Sequence, residues 1–298
     1  MTSPPLRILL CLSLCATAAT AQRAPAPDLQ YRVSTTMLLD TNLDHDETPD
    51  EAYGGVLGMG LEFRDRRDRP RFALRYEMAG HQYSIPAPWN RLSHLAGLAL
   101  AIRPGRRVSL TTEAEVTLKG SSEDRDLGDQ YQLRHTIGLR LVERASFEFG
   151  ATVRRRRYAA SPERNATNGY LEAELEYRLT RAIRLTGAGR AEVNEADSTR
   201  YRYDRGTLIG GLSVDHGFGR LELEGKVRRQ HYRHRIVDDL EPARLRRDRR
   251  YQLSAEWTLR PWRSLDVVLG YEFENRNSND PDRRYVAHQF GFTLVRTW

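Results

Sequence analysis

The feature that most constrains this chain is a two-residue rhythm. From position 29 to the C-terminal Trp298, runs of roughly ten or more residues alternate apolar and polar side chains, and each run ends in a turn. Successive side chains on an extended strand point to opposite faces, so a strict alternation predicts strands with one greasy and one polar face. One run sets Leu171, Ala173, Leu175, Tyr177 and Leu179 against Glu172, Glu174, Glu176 and Arg178. Another sets Leu221, Leu223 and Val227 against Arg220, Glu222, Glu224, Lys226 and Arg228. A third carries Leu265, Val267, Leu269, Tyr271 and Phe273. Fourteen such runs follow one another, the tenth (Leu208, Leu212, Val214) having the weakest phase.

Alternation alone also suits a soluble sandwich with its polar face in water. The spacing of the connections separates the two. Long polar segments at 41–51, 81–90, 119–129, 158–168, 195–200, 230–248 and 275–284 alternate with short links such as Arg103-Pro-Gly-Arg106 and Glu143-Arg144. Long outer loops and short periplasmic turns are the pattern of an outer-membrane barrel. Tyr and Trp gather near the strand ends, where an amphipathic ring meets lipid headgroups. Tyr53, Tyr131, Tyr170, Tyr232, Tyr251 and Tyr285 are expected at the outer side, and Tyr31, Tyr177, Trp257, Trp262 and Trp298 at the inner side. The expected fold is therefore all-β, a transmembrane antiparallel up-and-down barrel of about 14 strands.

Mean hydropathy is −0.65 and 29% of the residues are charged, values that on their own suggest a soluble or partly disordered chain. A barrel escapes that inference because only alternate strand residues face lipid. No stretch approaches the 18 or so apolar residues of a membrane-crossing helix. The net charge of +7 resides almost entirely in Arg. Those residues are spread at alternate positions instead of forming one patch, which speaks against nucleic acid and for lipopolysaccharide phosphates or anionic solutes.

The N-terminus reads as an export signal over 1–21: Arg7, an apolar core from Ile8 to Cys15, and Ala19-Thr20-Ala21 before cleavage at Gln22. Residues 22–28 read as a short periplasmic tail and 29–298 as the barrel. Both cysteines, Cys11 and Cys15, fall in the signal, so the mature chain carries no disulfide and no thiolate metal site. Neither a metal nor a cofactor is expected.

The final stretch Phe290-Gly-Phe-Thr-Leu-Val-Arg-Thr-Trp298 resembles the C-terminal insertion signal of Gram-negative outer-membrane barrels. Phe290, Phe292, Leu294 and Trp298 carry that resemblance, which implies recognition by the barrel-assembly machinery. The whole mature chain is similar in architecture to the monomeric OmpG-type porins, and to barrels of undefined role found with polysaccharide- or lipoprotein-export systems. The resemblance implies a monomer and a channel; it transfers no site residue.

Isolated charges face lipid at a cost of about 2–4 kcal/mol near the midplane for Arg, so the polar phase must point inward. The expected pore lining is Arg75, Glu113, Glu115, Arg134, Arg140, Arg154, Arg156, Glu172, Glu174, Arg184, Arg190, Glu222, Glu224, Glu256 and Glu272. Two readings stay open. Rows of Arg and Glu set a transverse field in a water-filled lumen that selects small hydrophilic, anionic solutes. Alternatively, the two signs pair across neighbouring strands and block the lumen. A barrel for export of a surface polymer, or a structural or adhesive protein, is the alternative role.

The longest polar segment carries His231 and His234 close to Asp238, Asp239 and Glu241, a candidate pH-responsive gating loop set against a plain solvated one. His94, His135 and His288 fall, unusually, in the lipid-facing phase. Ser93-His94 lacks a third partner at catalytic spacing, so the chain is read as no enzyme. His231-x-x-His234 lacks a third metal ligand, and the acidic segment Asp40, Asp44, Asp46, Glu47, Asp50 and Glu51 reads as solvated.

Overall fold

A computed structural model of the chain describes residues 28–41, 52–64, 71–84, 91–119, 128–237, 244–262 and 264–298. The expected export signal, most of the N-terminal tail and most of the acidic first loop lie outside the described residues. Fourteen strands follow in order: β1 Asp28–Asp40, β2 Ala52–Arg64, β3 Arg71–Tyr83, β4 Arg91–Ile102, β5 Val108–Lys119, β6 Asp129–Val142 and β7 Ala145–Arg157. The second half continues with β8 Ala166–Arg178, β9 Ile183–Ala196, β10 Tyr203–His216, β11 Gly219–Val237, β12 Arg244–Trp262, β13 Leu265–Ser278 and β14 Tyr285–Thr297. Each pairs antiparallel with its sequence neighbours, and β1 pairs with β14 to close the barrel. Closure satisfies every strand's main-chain groups without a free edge, the condition for β-structure in hydrocarbon.

The register confirms the alternation strand by strand. Outward positions carry Leu57, Leu98, Leu133, Leu171, Leu208, Leu253, Phe290 and their neighbours, all well exposed although large and apolar. In water such a belt would be a severe aggregation liability, whereas against lipid tails it is the ordinary outer surface of a barrel. The weak phase of β10 resolves the same way, with Leu208, Leu212 and Val214 outward and Arg205, Thr207 and Ser213 inward.

The seam is held at its periplasmic end by reciprocal main-chain bonds. Tyr31 N donates to Trp298 O at 3.2 Å, and Trp298 N donates to Tyr31 O at 3.0 Å. Phe290, Phe292 and Leu294 face outward from β14, and the Arg296 guanidinium lies 4.8 Å from the Trp298 ring centre.

Two expectations need correction. The segment 230–248 is not a long loop: β11 and β12 each run 19 residues and stay paired to Val237↔Arg244, with a bulge between His231 and Ile236. His231 and His234 thus stand on β11, while Asp238, Asp239 and Glu241 lie outside the described residues. Once the hairpin leaves hydrocarbon its outward face needs no apolar residues, so the rhythm vanishes from the sequence while the backbone pairing continues. The outer tyrosine girdle is also thinner than expected. Tyr170, Tyr232 and Tyr285 share the inward phase, and Tyr170 and Tyr285 are buried.

Candidate functional site: the charged lumen

The inner wall is uneven. On β2 to β4 the inward positions include Gly54, Gly58, Gly60, Ala73, Ala79, Gly97, Ala99 and Ala101 beside Glu62, Arg75 and Glu77, so this side of the bore carries mostly short side chains. Gly54 is required there in a specific way, because the Tyr83 ring lies against its Cα and would collide with any Cβ. On β7 to β13 the inward positions include most of the long charged side chains. All the residues expected to line the pore lie on the inner face, with Arg75, Glu113 and Glu115 on β3 and β5 and the others on β6 to β13.

Register stacks these charges into rows around the wall. One row reads Glu172, Arg190, Thr207, Arg228, Arg250, Arg276 and Tyr285, each directly opposite the next on adjacent strands. Four residues nearer the periplasm lies Glu176, Thr186, Gly211, Glu224, Ser254, Glu272 and Gln289, and the following inward row contains the facing pair Glu222 and Glu256. At about 3.3 Å per residue, the arginine row and the first acidic row stand about 13 Å apart along the strands. On this wall the field between arginine and glutamate thus runs mainly along the strands, not transversely as expected.

Most members of the arginine level are neutralised within the wall. Glu172 accepts from Arg134 Nη2 at 3.0 Å and Arg190 Nε at 2.7 Å. Glu192, 4% exposed, accepts from Arg154, Asn168, Tyr203 and Arg205 at 3.1–3.3 Å. Asp248 holds Arg246 in a two-pronged bond, 3.0 Å at each nitrogen, and accepts from Arg276 at 2.5 Å and Ser278 at 2.7 Å. Glu274 pairs with Arg250 at 3.1 Å and accepts the Tyr285 hydroxyl. A buried carboxylate keeps its charge only when donors surround it in this way.

The inward tyrosines act as platforms beneath these guanidinium groups. Arg190 stacks 4.5 Å from the Tyr170 ring centre, Arg205 4.5 Å from Tyr203 and Arg246 4.8 Å from Tyr232. An arginine bonded at its edge and stacked on its face is held flat against the wall and kept out of the bore. Arg228 is the exception. It faces Arg250 across one strand gap and Thr207 across the other, its Nε has no hydrogen-bond partner, and no carboxylate pairs with it among the described residues.

The acidic level borders an open recess of about 520 Å³. Glu222, Glu224, Glu256 and Glu272 line it with small residues including Gly211, Ser213, Gly270 and Gly291 and one arginine, Arg184. Glu224 lies 3.3 Å from Lys226, and Glu222 lies 3.6 Å from Arg220.

Sequence reasoning missed Arg205, Arg246, Asp248, Arg250 and Arg276. Arg205 was hidden by the weak phase of the tenth run, and the others sit in or beside segments read as loops. The signal that finds the bare wall is glycine at alternate inward positions, Gly54, Gly58 and Gly60, in a run whose other phase is apolar.

The lipid-facing histidines are paired within the outer wall, and Ser93 and His94 do not meet. Ser93 points inward and donates to Ala79 O, while His94 points outward, so the two lie on opposite faces of β4. His94 Nδ1 shares a hydrogen bond with Tyr76 at 2.8 Å, His135 with Thr112 at 2.9 Å and His288 with Tyr271 at 3.0 Å. His216 accepts from the Trp257 indole at 3.0 Å. Each imidazole is thereby matched to a hydroxyl on a neighbouring strand or, for His216, to an indole two strands away. Among the described residues no group of three or more His, Cys, Asp or Glu side chains is arranged to hold a metal ion.

No protein-family model matches the chain, and no curated protein matches it either. Solved structures do. OmpT of Vibrio cholerae shares 10% identity over 93% of this chain and 99% of that one, with a TM-score of 0.55. An anion-selective porin from Comamonas acidovorans shares 7% identity over 92% of this chain and 99% of that one, with a TM-score of 0.56. At such low identity the likeness concerns the fold alone: this chain shares the closed antiparallel barrel of these outer-membrane proteins.

Proposed function

We propose that this protein is a passive outer-membrane channel for small hydrophilic solutes, and that its arginine level favours anions. The observation that carries this reading is where the ion pairs run. Every ion pair among the described residues joins groups no more than two strands apart around the wall, and none spans the bore. Charges tied back to the wall, opposite a side rich in Gly and Ala, leave room for a water-accessible passage. A blocked pin would need side chains reaching across it. The anion preference rests on Arg228, which forms no ion pair among the described residues. The fold likeness to a porin described as anion-selective is in keeping with it.

The reading includes export with cleavage before Gln22 and insertion through Phe290, Phe292, Leu294 and Trp298 by the assembly machinery. It also includes action as a monomer without catalysis. A closed barrel with no unpaired edge needs no second copy. The test is reconstitution of the refolded protein in planar bilayers, with liposome swelling in sugars and organic acids of graded size. Stepwise conductance and size-limited swelling are expected. Folded protein that leaves bilayers and liposomes sealed would overturn the channel and leave the structural or adhesive role.

A further inference from the structure

We propose that the outward face of the β11–β12 hairpin, just above the apolar belt, is a binding site for a phosphorylated glycolipid of the outer leaflet. Arg229, Arg247, Arg249 and His231 form it. The register places Arg229 directly opposite Arg249, and His231 directly opposite Arg247, on the lipid-facing side. All four side chains are exposed. Two arginines facing each other across a strand pair repel, an arrangement that destabilises a sheet unless an anion lies between them.

Among the described residues the surroundings supply no such anion. On β10 the row continues with Gly206, and on β13 with Asn277. The nearest acid in the next row, Asp204, already accepts from Arg233 at 3.0 Å and 3.2 Å, and Glu195 is occupied by Arg233 and Arg202. No carboxylate pairs with Arg229, Arg247 or Arg249 among the described residues. By contrast, the inward arginines one residue away on β12, Arg246 and Arg250, are each matched to an acid. Between Arg246 and Arg250, therefore, the unmatched charge of β12 lies on its outward face.

Height fixes the chemistry of the partner. Directly below the row stand the lipid-facing Leu208, Val227 and Tyr251, and Arg249 Nη1 donates to the Tyr251 hydroxyl at 3.2 Å. Tyrosine of this kind marks the boundary between tails and headgroups, so the arginine row lies at headgroup level. Gly206 adds no side chain, and nothing stands within 4 Å of where its Cβ would be, which leaves a flat approach beside Arg229. An anion that presents itself at that depth, with acyl chains continuing down over Leu208, Val227 and Leu253, is a lipid phosphate.

The experiment compares wild type with R229Q/R247Q/R249Q in detergent with a chelator present. Each is titrated with lipopolysaccharide, with dephosphorylated lipopolysaccharide and with inorganic phosphate, and binding is followed by native gel retention. Wild type is expected to bind the phosphorylated lipid at least about tenfold more tightly than the dephosphorylated one, and to ignore free phosphate at lipid-equivalent concentration. The triple variant is expected to lose that discrimination while its heat-modifiable gel mobility shows an intact barrel. Equal affinity for both lipids in wild type, or undiminished discrimination in the folded variant, would overturn the proposal. Competition by free phosphate at the same concentration would do so too, by making the site a generic anion site. None of these readouts depends on conductance, so they stand apart from the channel reading.

Discussion

Replacing Arg228 by Gln removes the one arginine of the arginine row that has no ion pair among the described residues. Its neighbours Arg190, Arg250 and Arg276 each have a carboxylate, and Arg228 has Thr207 and Arg250 across from it. A monovalent ion passing about 7 Å from that guanidinium in water-like surroundings feels ~0.6 kcal/mol. The same charge attracts an anion and repels a cation, so neutralising it shifts the anion-over-cation ratio by ~1.2 kcal/mol, about sevenfold. A Debye length of about 10 Å at 0.1 M salt trims this to about threefold. The assay is the reversal potential of single channels under a salt gradient, at low and at molar ionic strength. A drop in anion preference of about three- to sevenfold is expected at low salt, and almost none near 1 M, where screening acts over about 3 Å. The charge-conserving pair R250Q/E274Q should leave the ratio near wild type. An R228Q channel that conducts with an unchanged reversal potential at 0.1 M would refute the argument that uncompensated wall charge sets selectivity.

Gly97→Trp fills the bare wall, where a Cβ meets nothing nearer than 3.8 Å, and should lower single-channel conductance while heat-modifiable gel mobility stays that of wild type; unchanged conductance would place the passage elsewhere. Leu133→Arg, at an outward position 45% exposed, should cost about 2–4 kcal/mol of folding into vesicles by denaturant titration, whereas a cost near zero would deny that this face meets lipid. Tyr76→Phe strips His94 of its partner at a lipid-facing site and should cost about 1–3 kcal/mol in the same titration; a neutral result would mean the imidazole finds another partner.

The strand rhythm made the fold legible because lipid enforces it: an outward position in hydrocarbon must be apolar, and its neighbour then faces the lumen. For that reason Leu171, Ala173 and Leu175 announced β8 and its inward glutamates without any structure. Where lipid stops, so does the signal. The outer third of β11 and β12 alternates among arginine, histidine and glutamine on both faces, and reads as loop although it is paired to Val237. Tyr170 and Tyr285 misled for a related reason. A tyrosine near a strand end suits the headgroup region and an arginine stack equally well, and only its parity within the strand tells the two apart. The partner of each arginine was not legible either. Arg134 and Arg154 reach carboxylates two strands away, a choice set by register and side-chain length that no local pattern records.

The paired extension of β11 and β12 bears on how the mouth can move. At its far end Arg246 bridges Asp248 and Asp280, and Arg235 reaches the same Asp280 at 3.6 Å, so the hairpin is strutted to the turn after β13. An overhang braced in that way behaves as an awning and not as a shutter. Any closing of the entrance has to come from the other side of the mouth, or has to break the bonds of Arg246 and Arg235 to Asp280 first.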